Sequence, residues 1–152
     1  MGVMIPSTPQ RELATQVAAL LNAHNRLYYK MTIHRVIHGK VDYLLDLLED
    51  TVIGCIGIRY EKRSDSVELC HLCVHPIGRG RGLAKKLIKR AIDLSPRDRM
   101  WCHIREENVA SVKAFTSQGF KIQREKFKHD GSWMLTLRLE RNHVRSNTAG
   151  TS

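Results

Sequence analysis

The sequence lacks any apolar run near the roughly 18 to 20 residues that cross a bilayer. Residues 1–10 also lack the charged start and apolar stretch of a secretory signal. Disulfide-forming loops are missing too, since Cys55, Cys70, Cys73 and Cys102 all lie inside apolar runs. Cysteines in such positions are typical of reduced thiols in a core. We therefore expect a cytoplasmic protein that does not associate with a membrane.

Acidic residues are comparatively few. The chain has 15 Asp and Glu against 25 Lys and Arg, and its formal net charge is +10 at pH 7. This excess favours a polyanionic partner, either a phosphate-bearing cofactor or a nucleic acid. With 42% hydrophobic residues in 152, the chain can bury a core without disulfides or metals. We predict one domain over residues 1–140 and a polar, disordered tail over residues 141–152.

Hydrophobic periodicity and turn residues predict an α/β protein with a mixed sheet. The predicted elements are a helix Pro9–Arg26, a short helix ending at Gly39, a hairpin of Tyr43–Leu48 and Val52–Arg63, a strand Val67–His75, a helix Leu83–Leu94, a strand Met100–Ile104, a helix Asn108–Gln118, and a hairpin of Phe120–Lys128 and Met134–Leu139.

A glycine-rich segment, Arg79-Gly80-Arg81-Gly82-Leu83-Ala84, lies between the third predicted strand and the following helix. Glycines there let backbone N–H groups approach an anion, and the helix N-terminus adds positive potential. The segment is neither a Walker A loop nor the three-glycine dinucleotide fingerprint. It predicts a phosphate site, with a flexible turn before a solvated basic helix as the alternative.

A second constellation follows in Asn108, Ala114-Phe115 and Gly119-Phe120. Together with the glycine segment, it resembles the GNAT superfamily of acyl-CoA-dependent N-acetyltransferases. The resemblance covers roughly residues 52–139, in the right order and spacing. It implies a central, mostly antiparallel twisted sheet with a splayed strand pair and flanking helices. A strand before the first helix is usual in this family, and Val3-Met4-Ile5 is the candidate for it.

The resemblance also implies a function, the transfer of an acetyl group from acetyl-CoA to an amine by direct attack. Its pyrophosphate motif is matched by Arg79, Gly80, Arg81, Gly82, Leu83 and Ala84. The pantetheine arm is expected along the backbone of Leu72, Cys73 and Val74, with Asn108 contacting the cofactor and Phe115 in the apolar slot beside it.

Two residues are candidates for the base that removes a proton from the amine, whose free pKa is about 10.4. Glu68 stands where some family members carry the catalytic carboxylate, and His103 stands where others carry a glutamate base. The alternatives are a glutamate at a strand edge and a half-buried strand histidine.

Phe115 departs from the family pattern, because many members have tyrosine there to protonate the departing CoA thiolate. Phenylalanine fills the same apolar slot without a proton to give. A thiol pKa is only about 8.5, so the thiolate can leave unprotonated or take a proton from water.

The segment from Cys70 to His75 contains residue types that bind zinc. On a regular strand Cys70 and Cys73 point to opposite faces, and only His71, Cys73 and His75 share one. No second cysteine pair follows, so we predict no metal site.

Two alternatives to an enzyme are a basic nucleic-acid-binding module and a CoA-binding module without catalysis. Several basic residues lie beyond the glycine segment, but no recognition motif accompanies them, and CoA is itself polyanionic. We therefore favour the enzyme and leave nucleic-acid association open.

The acceptor is either an amine-bearing small molecule or a protein, and the chain either a monomer or a homodimer. An acidic groove near the first hairpin would suit a cationic acceptor. Its candidates are Asp42, Asp46, Glu49 and Asp50. Candidate acceptor contacts in the helical segment before it are Tyr28, Tyr29, His34 and His38.

Overall fold

The computed structural model describes residues 10–27 and 29–141, so the candidate strand Val3-Met4-Ile5, Tyr28 and residues 142–152 lie outside it. Each element predicted within these residues is present, with ends shifted by a few positions. The helices are α1 (Gln10–His24), α2 (Ile33–His38), α3 (Leu83–Leu94) and α4 (Val109–Ser117); the strands are β1 (Val41–Leu48), β2 (Thr51–Tyr60), β3 (Ser66–Val74), β4 (Arg99–Arg105), β5 (Lys121–His129) and β6 (Ser132–Glu140). Within the described residues, no helix has both the length and the apolar character to cross a bilayer.

The strands form one six-stranded sheet in the order β1-β2-β3-β4-β6-β5. All neighbours pair antiparallel except β3 and β4, which are parallel. A parallel pair needs a crossover, and α3 supplies it. The predicted mixed, mostly antiparallel sheet is confirmed.

The parallel pair β3 and β4 is joined only at one end. Its pairing runs from Ser66 opposite Arg99 to Glu68 opposite Trp101 and ends there. Beyond this point β3 continues to Val74 and β4 to Arg105, and β4 stays paired with β6 on its other side. The two strands therefore splay apart, as the resemblance implied.

Two apolar cores hold the sheet from its two faces. The core beside α3 and α4 contains buried side chains such as Ile56, Leu87 and Leu137. The core beside α1 and α2 contains buried side chains such as Leu21 and Leu45. Burial of each large aliphatic side chain contributes about 1.5–3 kcal/mol; of the two splayed strands, β3 is packed on both faces and β4 on the face beside α3 and α4.

A bulge in β3 changes the side-chain alternation that the sequence predicted. Cys55 and Gly57 of β2 face Cys73 and Cys70, so two steps along β2 match three along β3. The one extra residue lies between Cys70 and Cys73, where His71 has a φ of 55°. Cys70 and Cys73 therefore share a face, next to the α1 core, and the predicted separation is wrong. Even so, no three His, Cys, Asp or Glu of the described residues are grouped to hold a metal ion.

Arg141 anchors the end of β6, although the predicted disordered tail began at this residue. Its guanidinium donates to the carbonyl oxygens of Ile92, Ser95 and Arg97 and to the carboxylate of Asp98. These bonds also cap the C-terminal end of α3, whose last carbonyls have no helical partner.

We expect Arg141→Met to lower the free energy of unfolding by about 1–3 kcal/mol, because it leaves part-buried carbonyls unsatisfied. Urea denaturation measures this change. Arg124→Met removes an exposed arginine of β5 and is the matched control, with an expected change below about 0.5 kcal/mol. Equal effects of the two substitutions would contradict the anchoring role.

Candidate active site

An open cleft of about 800 Å³ lies where β3 and β4 splay apart. The loop between α1 and α2, the start of α4 and the β5–β6 hairpin complete its walls. It brings together six of the residues that the sequence predicted: Tyr29, Glu68, Leu72, His103, Asn108 and Phe115. Cys73, Val74 and the segment Arg79–Ala84 do not line the cleft and follow it along the chain, at the end of β3 and the start of α3.

The glycine segment forms a tight turn at the N-terminus of α3. Gly80 and Gly82 have φ angles of 79° and 73°, which favour glycine strongly. Gly82 is the N-cap residue and has no side chain to cap the first turn. A Cβ at either glycine would meet no atom within 4 Å. The first amides of α3 therefore border open space beside Arg81, Lys85 and Lys86, which suits a diphosphate.

The backbone of Leu72, Cys73 and Val74 is partly engaged by side chains. Asn25 Nδ2 donates to the Leu72 carbonyl at 3.1 Å, and Arg79 Nε donates to the Val74 carbonyl at 3.2 Å. Each carbonyl keeps a second lone pair for an amide of the pantetheine arm. The Cys73 side chain is buried against α1, so Cys73 has only its backbone to offer a cofactor.

Glu68 is held by an arginine on the neighbouring strand. Arg59 faces it in the β2–β3 register, and the Arg59 Nη1 to Glu68 Oε1 distance is 2.7 Å. Only 15% of the Glu68 side chain is exposed. Burial raises the pKa of the Glu68 carboxyl, and the charge of Arg59 opposes this rise. The carboxylate is therefore a stronger base than one on an open surface.

His103 lies on the same sheet face as Glu68. It is two residues beyond Trp101, the β4 partner of Glu68. Its Nδ1 shares a hydrogen bond of 3.0 Å with Thr136 Oγ1. Burial lowers the pKa of His103, and the nearby charge of Arg138 lowers it further. The imidazole is thus neutral near pH 7 and able to accept a proton.

Asn108 and Phe115 are both on α4. Asn108 is its N-cap, and Asn108 Oδ1 accepts a hydrogen bond from the Ser111 amide at 3.2 Å. Phe115 is 3% exposed and packs edge to face on Phe120, with ring centroids 5.1 Å apart. Phe115 thus closes the cleft against the core, and Asn108 fixes where α4 begins.

His71 is a cleft residue that the sequence analysis did not identify as functional. Its Nδ1 is 2.7 Å from the Tyr43 hydroxyl and its Nε2 is 3.3 Å from the Tyr29 hydroxyl. Burial lowers the pKa of His71 to about 4, with a further contribution from the charge of Arg59. A neutral imidazole between two phenols therefore forms part of the cleft wall. The sequence analysis named Tyr29 as a candidate acceptor contact, but it gave no signal for His71, because the hydrophobic pattern does not reveal the bulge that turns this side chain.

The acidic residues near the first hairpin do not line this cleft. Tyr43 and Leu45 face the α1 core, so the alternating Asp42 and Asp46 lie on the other face of β1. Instead the cleft wall carries an ion pair between Arg26 and Glu107, with 2.6 Å between Nη1 and Oε1.

Comparisons with known proteins identify the family and the fold. A model of the acetyltransferase (GNAT) family matches residues 11–120 of the chain. Among curated protein sequences, none matches.

Three solved structures illustrate the likeness of fold. A ribosomal-protein-alanine N-acetyltransferase from Brucella melitensis gives a TM-score of 0.73 at 17% identity, covering 93% of this chain and 99% of that one. A GNAT family acetyltransferase from Elizabethkingia anophelis with acetyl-CoA bound gives 0.64 at 16%, covering 81% and 89%. An IAA acetyltransferase from Bacillus cereus ATCC 14579 gives 0.64 at 18%, covering 81% and 91%.

Proposed function

The chain belongs to the GNAT family of acetyltransferases, and on that basis we propose that it transfers the acetyl group of acetyl-CoA to an amine by direct attack in a ternary complex. The observation that carries this proposal is the splay of β3 from β4 beside an open glycine turn. The cleft opens along β3 beyond Glu68, and the glycine turn, the candidate anion site, follows the C-terminal end of the same strand.

Acetyl-CoA supplies an activated acetyl group as a thioester. The amides and basic side chains of Arg79–Ala84 hold its pyrophosphate, the backbone of Leu72–Val74 pairs with the pantetheine arm, and Asn108 contacts the cofactor. Phe115 keeps the apolar side of the cleft closed to water. No metal takes part in this scheme.

Glu68 accepts the proton that the amine must lose, directly or through one water. The raised pKa of its carboxyl favours this role. His103 is the second candidate on the same face, and its lowered pKa keeps it unprotonated near pH 7. The CoA thiolate then leaves without a tyrosine at position 115.

We expect Phe115→Tyr to change kcat by less than about tenfold, because a thiolate with a pKa near 8.5 already leaves well. Phe115 is buried, so an added hydroxyl either points into the cleft or stays without a hydrogen-bond partner. The second case would lower the stability of the folded protein. Steady-state kinetics and thermal unfolding of the same preparation separate these effects. A rise in kcat of several hundredfold would show that thiolate protonation limits the native enzyme.

The acceptor is an amine of a small molecule or of a protein. The fold alone does not distinguish these two classes of acceptor, since the similar structures include a ribosomal-protein-alanine N-acetyltransferase and an IAA acetyltransferase. The four cysteines are free, which fits the reducing cytoplasm. A monomer or a homodimer is compatible with this cleft, because one chain supplies all its walls.

A screen of amines tests the proposal. Purified protein is incubated with acetyl-CoA and pools of polyamines, amino acids, aminoglycosides or peptides, and free CoA thiol is measured. We expect thiol release with at least one pool, above the rate of hydrolysis without amine. Binding of acetyl-CoA without release in any pool would instead support a CoA-binding module without catalysis.

A further inference from the structure

The sheet face that carries the cleft continues beyond α1 and α2, which cover only β1, β2 and β3; two residues of this continuation, His103 and Phe127, also line the cleft. We call this continuation the open face and define it by Trp101, His103, Lys121, Phe127 and Arg138. Strand register places these residues together. Trp101 of β4 pairs with Arg138 of β6, and Arg138 pairs with Lys121 of β5. Phe127 reaches the same face because its partner Met134 pairs with Arg105, four residues after Trp101.

Three rings form a continuous row on this face. The centroids of Trp101 and His103 are 4.6 Å apart, and those of His103 and Phe127 are 4.9 Å apart. The row crosses β6 over Thr136, a small residue that holds His103 by a hydrogen bond. Phe127 remains 40% exposed. Both neighbouring pairs of rings pack edge to face, at 61° and 80°, so the half-buried Trp101 and the exposed Phe127 present separate rings at the two ends of the row.

Positive charge lies beside the row. Arg138 and Lys121 are exposed neighbours of Trp101 across the sheet. Arg99, at the end of the same face, is neutralised by ion pairs with Asp65 and Glu140. The ligand that fits this surface therefore combines planar rings with negative charge.

We propose that the open face binds single-stranded nucleic acid, with bases stacked on Trp101 and Phe127 and phosphates against Arg138 and Lys121. Aromatic platforms with basic flanks bind single strands in this way. A second copy of the chain would bring the same positive charges against each other. An acidic peptide would satisfy the charges but leave the rings exposed. This binding is a function beyond acetyl transfer, on a surface that shares His103 and Phe127 with the cleft.

The two tryptophans of the chain allow a site-specific test. Trp133 follows the turn on the opposite face, where Lys126 and Lys128 lie 4.9 and 5.2 Å from its ring. It therefore offers a second aromatic and basic site as an internal control. Trp133→Phe leaves Trp101 as the only tryptophan, and Trp101→Phe leaves Trp133.

Both variants are titrated with oligodeoxythymidylate of about ten nucleotides, a length within the usual site size. We expect the fluorescence of Trp101 to be quenched in Trp133→Phe and that of Trp133 to stay unchanged in Trp101→Phe. Quenching of both tryptophans, or of neither, would overturn the proposal.

Fluorescence anisotropy with a labelled oligonucleotide then tests stacking and charge separately, after circular dichroism has confirmed that each variant folds. Phe127→Ala should weaken binding about tenfold. Arg138→Ala should lower the slope of log affinity against log salt by about 0.7. Lys128→Ala, on the opposite face, is the matched control and should change neither.

Competition identifies the ligand class. Polyphosphate that displaces the oligonucleotide equally well per charge would show charge binding alone and overturn the stacking. Polyglutamate that binds more tightly would favour an acidic protein partner instead. Self-association that Phe127→Ala abolishes, without oligonucleotide binding, would assign the face to a second copy.

Discussion

Glu68→Gln is expected to lower kcat/KM by about 10² to 10⁴-fold, the usual contribution of a positioned general base. The amide is nearly the same size as the carboxylate and can still accept a hydrogen bond from Arg59 at this position. It cannot take the proton of the amine. Steady-state kinetics with the acceptor from the amine screen measures the loss. Thermal unfolding reports any stability lost with the ion pair to Arg59.

The dependence of kcat/KM on pH shows whether Glu68 acts as the base. A base works only when deprotonated, so kcat/KM rises with pH through the raised pKa of Glu68. Glu68→Gln should remove that rise. Arg59→Met should move it to higher pH, because burial still raises the Glu68 pKa and the opposing cation is gone. Arg99→Met, which breaks an exposed ion pair with Asp65 of the same 2.7 Å length, should leave the profile unchanged.

His103→Ala tests the second candidate for the general base. If it abolishes the rise while Glu68→Gln preserves rate and profile, His103 is the base. If neither substitution matters, the proton leaves through ordered water or the acceptor deprotonates before binding. Both candidates would then be withdrawn.

Gly82→Glu is expected to weaken acetyl-CoA and CoA binding about tenfold to a thousandfold. A carboxylate at this position enters the open space beside the first amides of α3. Like charges about 4 Å apart near a surface repel by about 1–4 kcal/mol, and each 1.4 kcal/mol is tenfold in affinity. Isothermal titration calorimetry measures the loss directly.

Gly131→Glu is the matched control for backbone strain. Gly131, in the β5–β6 turn, has a φ of 76° against 73° for Gly82, and a Cβ there also meets no atom within 4 Å. Both substitutions therefore force a glutamate into the left-handed region without a clash. Only Gly82→Glu should affect CoA binding. Equal losses would mean that strain, and not the anion site, explains the effect.

The parts of this site that follow from local chemistry could be predicted from sequence. The turn around Gly80 and Gly82 needs left-handed φ angles, which mark glycine positions in any strand-to-helix connection. Asn108 before an apolar helical run is a capping signal. The ends of strands were predicted less accurately. The strand β2 ends at Tyr60 and not at Arg63, because polar residues next to a turn are compatible with both the strand and the turn.

The remaining features depend on contacts between distant residues. Asn25 reaches the carbonyl of Leu72, 47 positions away, and Arg59 meets Glu68 only through the register of two strands. The bulge at His71 reverses the alternation on which the predicted separation of Cys70 and Cys73 rested. The regular alternation of side chains that a sequence predicts for a strand does not reveal an extra residue in it. Tertiary packing fixes these positions.

The central claim is that an acetyl group passes directly from acetyl-CoA to an acceptor amine in this cleft. Acetyl-CoA labelled with carbon-13 in its acetyl group, followed by mass spectrometry of both acceptor and intact protein, tests it most directly. Label should appear as an amide on the acceptor, only when protein is present, and never on the protein itself. Label bound covalently to the protein and then passed to the acceptor, or equal labelling of the acceptor without protein, would contradict it.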